Sequence, residues 1–281
     1  MPAPARNPRG EEFWNGAMGR AWVSQQAVIS DVFTSVTRVT LAAASATPGE
    51  HVVDIGCGTG DTLLAFAKVV GPSGAVLGVD VSAPMLSLAE HRAAEAGHGN
   101  VVCALADATT YAFEPRRADL VYSRFGCMFF DEPVKAFTNI RSGMKPDGRL
   151  LLACFRPMPE SPWFRVPMDA ARPHLPPQPP ADPSAPGMFS FAGEERVRGI
   201  LGEAGFREIA LKAADVPIHG KDVAQSMAFL TQAGPLPAIL EKGSEAQRTR
   251  ATRAVRDALA ANLGPDGRGL HVGLWLVSAL A

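Results

Sequence analysis

Val52-Val53-Asp54-Ile55-Gly56-Cys57-Gly58-Thr59-Gly60 passes from a short apolar strand into a glycine-rich turn, and a helical pattern over 62–70 follows it. Glycine at such a strand-to-helix junction permits positive φ and lets a ligand press against bare backbone. The spacing narrows the reading. The dinucleotide fingerprint is G-x-G-x-x-G, whereas here the third glycine comes one residue early, at Gly60, and Asp61 takes the dinucleotide position. The loop is therefore G-x-G-x-G. No Lys-Ser/Thr pair follows it, which excludes a phosphate-binding P-loop.

Outward from the loop, short apolar strands alternate with helices. A second strand over 75–79 closes on Asp80, at the distance where Rossmann-like folds place an acid on ribose hydroxyls. A carboxylate accepts two hydrogen bonds and so matches a vicinal diol. A helix over 84–96 follows, with Ser82 as its expected cap. A third strand, 101–104, leads into Leu105-Ala106-Asp107-Ala108, where an acid could accept the exocyclic amine of an adenine. A fourth strand at 119–122, a helix at 133–144 and a fifth strand at 149–155 complete the series. This alternation predicts a parallel sheet covered on both faces, with ligands at the strand carboxyl ends near the switch point.

Flanking segments differ in character. Residues 13–46 carry a helical repeat of Ile29, Val32, Phe33, Val36 and Val39, ended by Pro48-Gly49. Residues 156–188 are rich in proline and are expected to form little regular structure of their own. A helix is predicted over 194–204, a strand over 207–211, two or three helices over 221–263 broken at Gly234-Pro235, and a last apolar strand over 270–279. The expected organisation is an N-terminal helical cap at 1–46 and a sheet core at 47–156 and 191–281. Cap insertions are expected at 157–190 and 220–266.

Three segments together resemble the class I S-adenosylmethionine-dependent methyltransferases: Asp54-Ile55-Gly56-Cys57-Gly58-Thr59-Gly60, Val79-Asp80-Val81-Ser82-Ala83-Pro84-Met85-Leu86 and Ala106-Asp107-Ala108. They are most similar to the branch holding the quinone-biosynthesis C-methyltransferases and many small-molecule methyltransferases. Phe13-Trp14-Asn15-Gly16 with Trp22 resembles a subset of that branch. The likeness covers about 50–157. It implies an α/β, Rossmann-like seven-stranded methyltransferase sheet, mostly parallel, whose last strand runs antiparallel between the fifth and sixth, with helical cap insertions. It implies S-adenosyl-L-methionine as cofactor and transfer of its methyl group to O, N or C of a small molecule. Gly56, Gly58 and Gly60 would line the cofactor's amino acid and ribose, Asp80 would hold the ribose, and Asp107 with Ala108 would meet the adenine. Asp54, Thr59, Val81, Met85 and Ser123 complete the expected cofactor set. The turn Lys145-Pro146-Asp147-Gly148 departs from the family's Lys-Pro-Gly-Gly, remote from the methyl group.

Methyl transfer is an in-line displacement, and holding the acceptor in a near-attack pose supplies a large share of the rate. A base is needed only where the acceptor must lose a proton, so no catalytic motif is obligatory. At the end of the fourth strand, Tyr122-Ser123-Arg124-Phe125-Gly126 lacks the Asn/Asp-Pro-Pro-aromatic signature of nucleic-acid amino methyltransferases. Arg124 could orient an acidic group on the acceptor or anchor strand to helix, and the residues leave both open. His174 is a candidate base, as are His219 and His271, while His51, His91 and His98 read as surface residues. Trp14, Trp22, Trp163 and Phe164 are candidates to stack on an acceptor or close the cap, against the commoner reading of aromatic core. Caps rich in Pro, Leu, Met and Phe suit an apolar or aromatic acceptor. Two other classes compete: a nicotinamide-dependent oxidoreductase, disfavoured by the early third glycine, and a binding protein that kept the pocket without turnover.

Bulk properties set the remaining limits. The 281 residues are 47% hydrophobic and 20% charged with a net charge of -1, and no Lys/Arg cluster would meet a phosphate backbone. No nucleic-acid partner and no membrane span are expected. Residues 1–12 carry charges with no apolar stretch behind them and do not read as a signal peptide. Cys57, Cys103, Cys127 and Cys154 lack metal-ligand spacing, and Asp107 and Asp131 gain no third ligand, so no metal is expected. The cysteines suit a reducing cytoplasm. Oligomeric state is left open.

Overall fold

Apolar side chains on both faces of the central strands demand cover on both sides of the sheet, and the chain supplies it with helices. The computed structural model describes residues 8–179, 182, 185–218, 222–232, 234–264 and 269–281. In chain order the elements are α1 (Pro8–Asn15), α2 (Ala17–Ser24), α3 (Gln26–Ala44), β1 (His51–Ile55), α4 (Asp61–Val70), β2 (Ala75–Asp80) and α5 (Ala83–Glu95). Then come β3 (Val101–Leu105), β4 (Ala118–Arg124), α6 (Pro133–Ser142), β5 (Met144–Phe155), α7 (Pro162–Ala171) and α8 (Glu194–Glu203). The last are β6 (Arg207–Ile218), α9 (Val223–Leu230), α10 (Leu236–Leu240), α11 (Glu245–Asn262) and β7 (Leu270–Leu280).

The strands form one seven-stranded sheet in the order β3-β2-β1-β4-β5-β7-β6. β1 pairs in parallel with both β2 and β4, and β7 lies antiparallel between β5 and β6. This is the mostly parallel sheet with an antiparallel last strand that the glycine-loop resemblance implies. The chain runs from β1 outward to β3 and returns to the other side of β1 as β4, so the switch point lies between β1 and β4. On one face Leu63, Phe66 and Val70 of α4 and Leu86 of α5 bury against Val52, Val76 and Leu120. On the other, Phe137 and Ile140 of α6 and Val197 and Leu201 of α8 join Val121, Leu150 and Leu152. Each fully buried side chain of this size is worth about 1.5–3 kcal/mol.

Several local expectations are corrected. The helical signal over 13–46 is three helices, because α2 ends at Ser24 and α3 begins anew at Gln26. By length and composition alone α3 (19 residues, mean hydropathy 1.3) could cross a membrane. Here its stripe of Ile29, Val32, Phe33 and Val36 is buried in the core. The proline-rich stretch holds a ten-residue helix, α7, in spite of Pro167 inside it. Trp163, Phe164, Pro167, Met168 and Ala171 fall on one face at helical spacing and are all buried, so tertiary packing overrides the proline penalty. The segment leaves β5 with Arg156 N–H donating to the Gly273 carbonyl at 2.9 Å, and Gly273 N–H donates to Ser161 Oγ at 3.0 Å. β6 extends seven residues past the predicted 207–211, to Ile218, because β7 pairs with it along that length. Ser82 precedes α5 but makes no side-chain cap; its hydroxyl donates instead to the Trp14 carbonyl at 2.7 Å.

A buried hydrogen bond of 2.7 Å joins Tyr122 of β4 to Thr40 of α3, and Thr40 also donates to the Val36 carbonyl at 2.9 Å. Tyr122→Phe removes the inter-element bond while Thr40 keeps a local partner. The variant should lose about 1 kcal/mol of stability at unchanged denaturant slope. A loss above about 3 kcal/mol in a urea melt would mean that the hydroxyl holds more of the core than this one bond.

Candidate active site

A cleft of about 1220 Å³, counting its open mouth, lies at the carboxyl ends of β1, β2, β4 and β5. Its floor is a contact of two loops. A Cβ on Gly56 would lie 2.7 Å from the Gly126 Cα, and one on Gly126 would lie 2.8 Å from the Gly56 Cα. Backbone meets backbone there, and no side chain fits between. Phe125, just before Gly126, takes φ 74, an unusual left-handed conformation for an aromatic residue. Its amide is held by the Ala153 carbonyl at 3.0 Å, so the β5 ladder supports the strained turn.

One half of the cleft is polar. Asp80 ends β2 with its Oδ2 accepting from Gly58 N–H at 2.8 Å and its Oδ1 from Ser82 N–H at 2.9 Å. Each oxygen retains a second lone-pair direction for a ligand donor. Burial raises the Asp80 carboxyl above its usual range, against the pull of the backbone amides, so further donors would favour its charged form. Gly58 has φ +56, and a Cβ there would touch the Met85 methyl at 3.0 Å. Thr59, Val81, Met85, Asp107 and Ala108 also line this half. Asp107 Oδ1 accepts from Thr109 N–H at 2.8 Å, and the Asn139 amide donates to the Ala108 carbonyl at 2.8 Å, which fixes the loop after β3.

The other half is aromatic. Phe125 stacks on Phe155 at 4.2 Å with an interplanar angle of 14°, and Phe33 meets Phe125 at 5.4 Å and Phe229 at 5.6 Å. Trp14 sits edge-on to Phe129 at 5.1 Å and to Trp22 at 5.9 Å. Met128 and Met188 fill the gaps. Offset or edge-to-face ring pairs of this kind add about 0.5–1.5 kcal/mol each beyond area burial.

Beside the cleft, reaching its wall through Arg124, stands a charged cluster. Arg124 donates from Nη1 to Thr37 Oγ1, and its Nη2 lies 3.7 Å from Asp61 Oδ2, with the guanidinium 5.9 Å from the Phe33 ring centre. Arg92 pairs with Asp61 at 2.9 Å and also donates to the Thr59 carbonyl. Burial would raise the Asp61 carboxyl, but Arg124, Ser30 and Arg92 outweigh it and hold it below the usual range. The cluster ties α3, the start of α4 and the end of β4 together beside the cleft.

The expected site residues divide by position. Gly56, Gly58, Thr59, Asp80, Val81, Met85, Asp107, Ala108, Trp14 and Arg124 meet at the cleft. Asp54, Gly60 and Ser123 stand behind its wall. Gly60 packs α4 on α5, where a Cβ would lie 3.0 Å from that of Ala89. The Ser123 hydroxyl donates to the Ile55 carbonyl at 2.7 Å and accepts from Cys127 N–H, so its bonding capacity serves the two strands. Trp163 and Phe164 are fully buried on α7, and Phe164 backs Phe155 at 5.1 Å. His174 lies in a short turn after α7, away from the cleft lining. His219 lies outside the described residues. Phe33, Phe125, Phe155 and Phe229 line the cleft but lie on four separate segments, and no local spacing could have gathered them. Among the described residues, no three His, Cys, Asp or Glu side chains gather as a metal site.

A family model described as a methyltransferase domain matches residues 52–148. Residues 52–148 are a methyltransferase domain. The chain is 32% identical, over 148 residues, to the aklanonic acid methyltransferase DauC of Streptomyces sp. (strain C5), covering 53% of this chain and 63% of that one. It is 35% identical, over 119 residues, to the ubiquinone/menaquinone biosynthesis C-methyltransferase UbiE of Ectopseudomonas mendocina (strain ymp), covering 42% and 46%. The chain spans about half the length of the curated relatives it matches. The fold is also that of phosphoethanolamine N-methyltransferase 2 of Haemonchus contortus, solved in complex with S-adenosyl-L-methionine. That likeness has a TM-score of 0.59 and 18% identity over 100% of this chain and 61% of that one.

Asp54 gives this methyltransferase domain a pH signature. Its Oδ2 accepts from Thr62 Oγ1 at 2.6 Å, while Oδ1 is buried with no partner. Burial pushes its carboxyl up from 3.8 to about 7, against the Thr62 hydrogen bond and the Arg124 charge and with help from Asp80. The folded state thus keeps a proton that the unfolded chain releases near pH 4. Stability must fall as pH rises from the unfolded value through the folded one. Asp54→Asn should flatten that fall, which amounts to on the order of 4 kcal/mol across pH 4–8 in the wild type. Urea melts at several pH values giving equal slopes for the two chains would contradict the assignment.

Proposed function

We propose that this chain transfers the methyl group of S-adenosyl-L-methionine to O, N or C of a small apolar or aromatic molecule. One observation carries the reading: the Asp80–Gly58 cradle and the aromatic basin are two halves of one cleft. The residues present suit the cofactor. The two Asp80 oxygens, held by backbone amides, match a ribose diol, and Gly56 and Gly58 admit a ligand against bare backbone. Asp107 and Ala108 stand where an adenine would follow. The cofactor, when bound, supplies a methyl group activated on a sulfonium.

The protein's own share is positioning and exclusion of water. Phe33, Phe125, Phe129, Phe155 and Phe229 with Trp14 offer flat apolar faces to an acceptor, and Phe164 supports Phe155 from behind. Arg124 holds α3 to the wall through Thr37 and Asp61, and so sets where Phe33 stands. Relatives named for aklanonic acid and for ubiquinone or menaquinone biosynthesis support a small-molecule acceptor. In this reading 1–46, 157–190 and 220–266 are the cap pieces around the core, and the four free cysteines suit a reducing, cytoplasmic setting.

Asp80→Ala removes two charge-assisted hydrogen bonds to the diol, each worth about 1.5–3 kcal/mol. Cofactor affinity should fall roughly tenfold or more in a variant that still folds. Calorimetry finding wild-type affinity in folded Asp80→Ala would overturn the ribose assignment. Turnover is read by screening small aromatic acceptors with methyl-labelled cofactor, where label must pass to at least one of them.

A further inference from the structure

Asn15, at the end of α1, makes three hydrogen bonds through one side-chain amide. Its Nδ2 donates to the Glu11 carbonyl at 2.8 Å and to the Val81 carbonyl at 2.9 Å, and its Oδ1 accepts from Ala83 N–H at 2.9 Å. It therefore grips the backbone on both sides of Ser82. Ala83 is the first residue of α5, so Asn15 satisfies a helix-start amide that Ser82 leaves to others. Ser82 is turned the opposite way: its hydroxyl donates to the Trp14 carbonyl at 2.7 Å and its amide to Asp80 Oδ1 at 2.9 Å. Gly19 of α2 completes the seat, since a Cβ there would come within 1.8 Å of the Trp14 carbonyl oxygen and 3.1 Å of Ser82 Oγ.

These contacts make one unbroken chain from the aromatic basin to the polar cradle. Trp14 packs edge-on against Phe129 and lines the cleft, and its backbone is bonded to Ser82. Ser82 is bonded to Asp80, and Asp80 to Gly58. The Trp14 wall therefore cannot shift without moving the loop that carries Asp80.

We propose that Asn15 is a positioning residue that locks the Asp80 loop and the Trp14 wall into one unit, so that cofactor and acceptor bind cooperatively. The proposal rests on the reading under "Proposed function". Coupling of this kind is reciprocal: a ligand on Asp80 that steadies the loop also steadies the Trp14 wall, and loss of the clamp removes that mutual effect.

The test uses the full chain, with S-adenosylhomocysteine as the cofactor probe. Calorimetry and hydrogen exchange are run on wild type, Asn15→Ala and Asn15→Asp. In the wild type the probe should slow exchange across 8–24. Asn15→Ala should raise the Kd about tenfold and abolish that slowing. Asn15→Asp keeps the acceptor for Ala83 N–H but not the donor to Val81, and should fall between. A purely structural role would instead lower melting temperature and leave Kd and the ligand-induced slowing intact. Wild-type Kd and undiminished slowing in folded Asn15→Ala overturn the clamp and leave the cofactor reading standing. A wild-type chain that binds no probe removes the cofactor reading, and the clamp with it.

Discussion

The loops that leave β1 and β4 touch through Gly56 and Gly126, and the whole site depends on that contact. These strands are neighbours at the switch point, so their carboxyl ends open side by side and a crevice forms there. With a Cβ clash at 2.7–2.8 Å on either side, neither residue can carry a side chain unless the loops part. The Gly56 amide also donates to the Val79 carbonyl at 2.8 Å, which fixes the loop to β2 and so to Asp80. Phe125 pays a strained backbone to enter this contact, and the same turn delivers its ring onto Phe155. Polar cradle and aromatic basin thus share one floor.

Electrostatics then decide how the outer helices sit on that floor. Asp61 is the first residue of α4, where a carboxylate is already favoured by the helix dipole. With Ser30 donating to it at 2.7 Å and with Arg92 and Arg124 beside it, α3 is drawn to the cleft rim. Partly buried pairs like these are screened little by salt. Asp54, one layer deeper, has a single hydroxyl partner and keeps its proton to about pH 7. Two aspartates seven residues apart differ in charge state because one is met by cations and the other by apolar strands.

How much of this is legible in the sequence follows from where each signal lies. The loop 56–60, Asp80 and the strand alternation are local patterns, and they place β1 to β5 and the polar half of the cleft. The antiparallel β7 came from resemblance, since an apolar strand alone does not state its direction. The basin was not legible: Phe33 is on a helix, Phe125 on a turn, Phe155 at a strand end and Phe229 on α9, and only the fold joins them. α7 is masked by the prolines around it, although Trp163, Phe164, Pro167, Met168 and Ala171 keep helical spacing. Ser82 has the residue type of a cap, yet its hydroxyl goes to the Trp14 carbonyl, and the Ala83 amide that opens α5 is met by Asn15, a contact 68 residues away in sequence. Gly60 belongs to the glycine loop and Ser123 to the end of the fourth strand, yet their atoms serve helix and strand packing.

In the proposed arrangement one cleft holds the cofactor on Asp80 and leaves the aromatic basin for the acceptor. A crystal structure of the chain with S-adenosylhomocysteine is the decisive measurement. It should show the ribose diol within hydrogen-bond distance of both Asp80 oxygens, the adenine beside Asp107 and Ala108, and the sulfur facing the basin of Phe33, Phe125 and Phe155. Density for the ligand in the basin itself, or anywhere that leaves Asp80 without a diol, would contradict it.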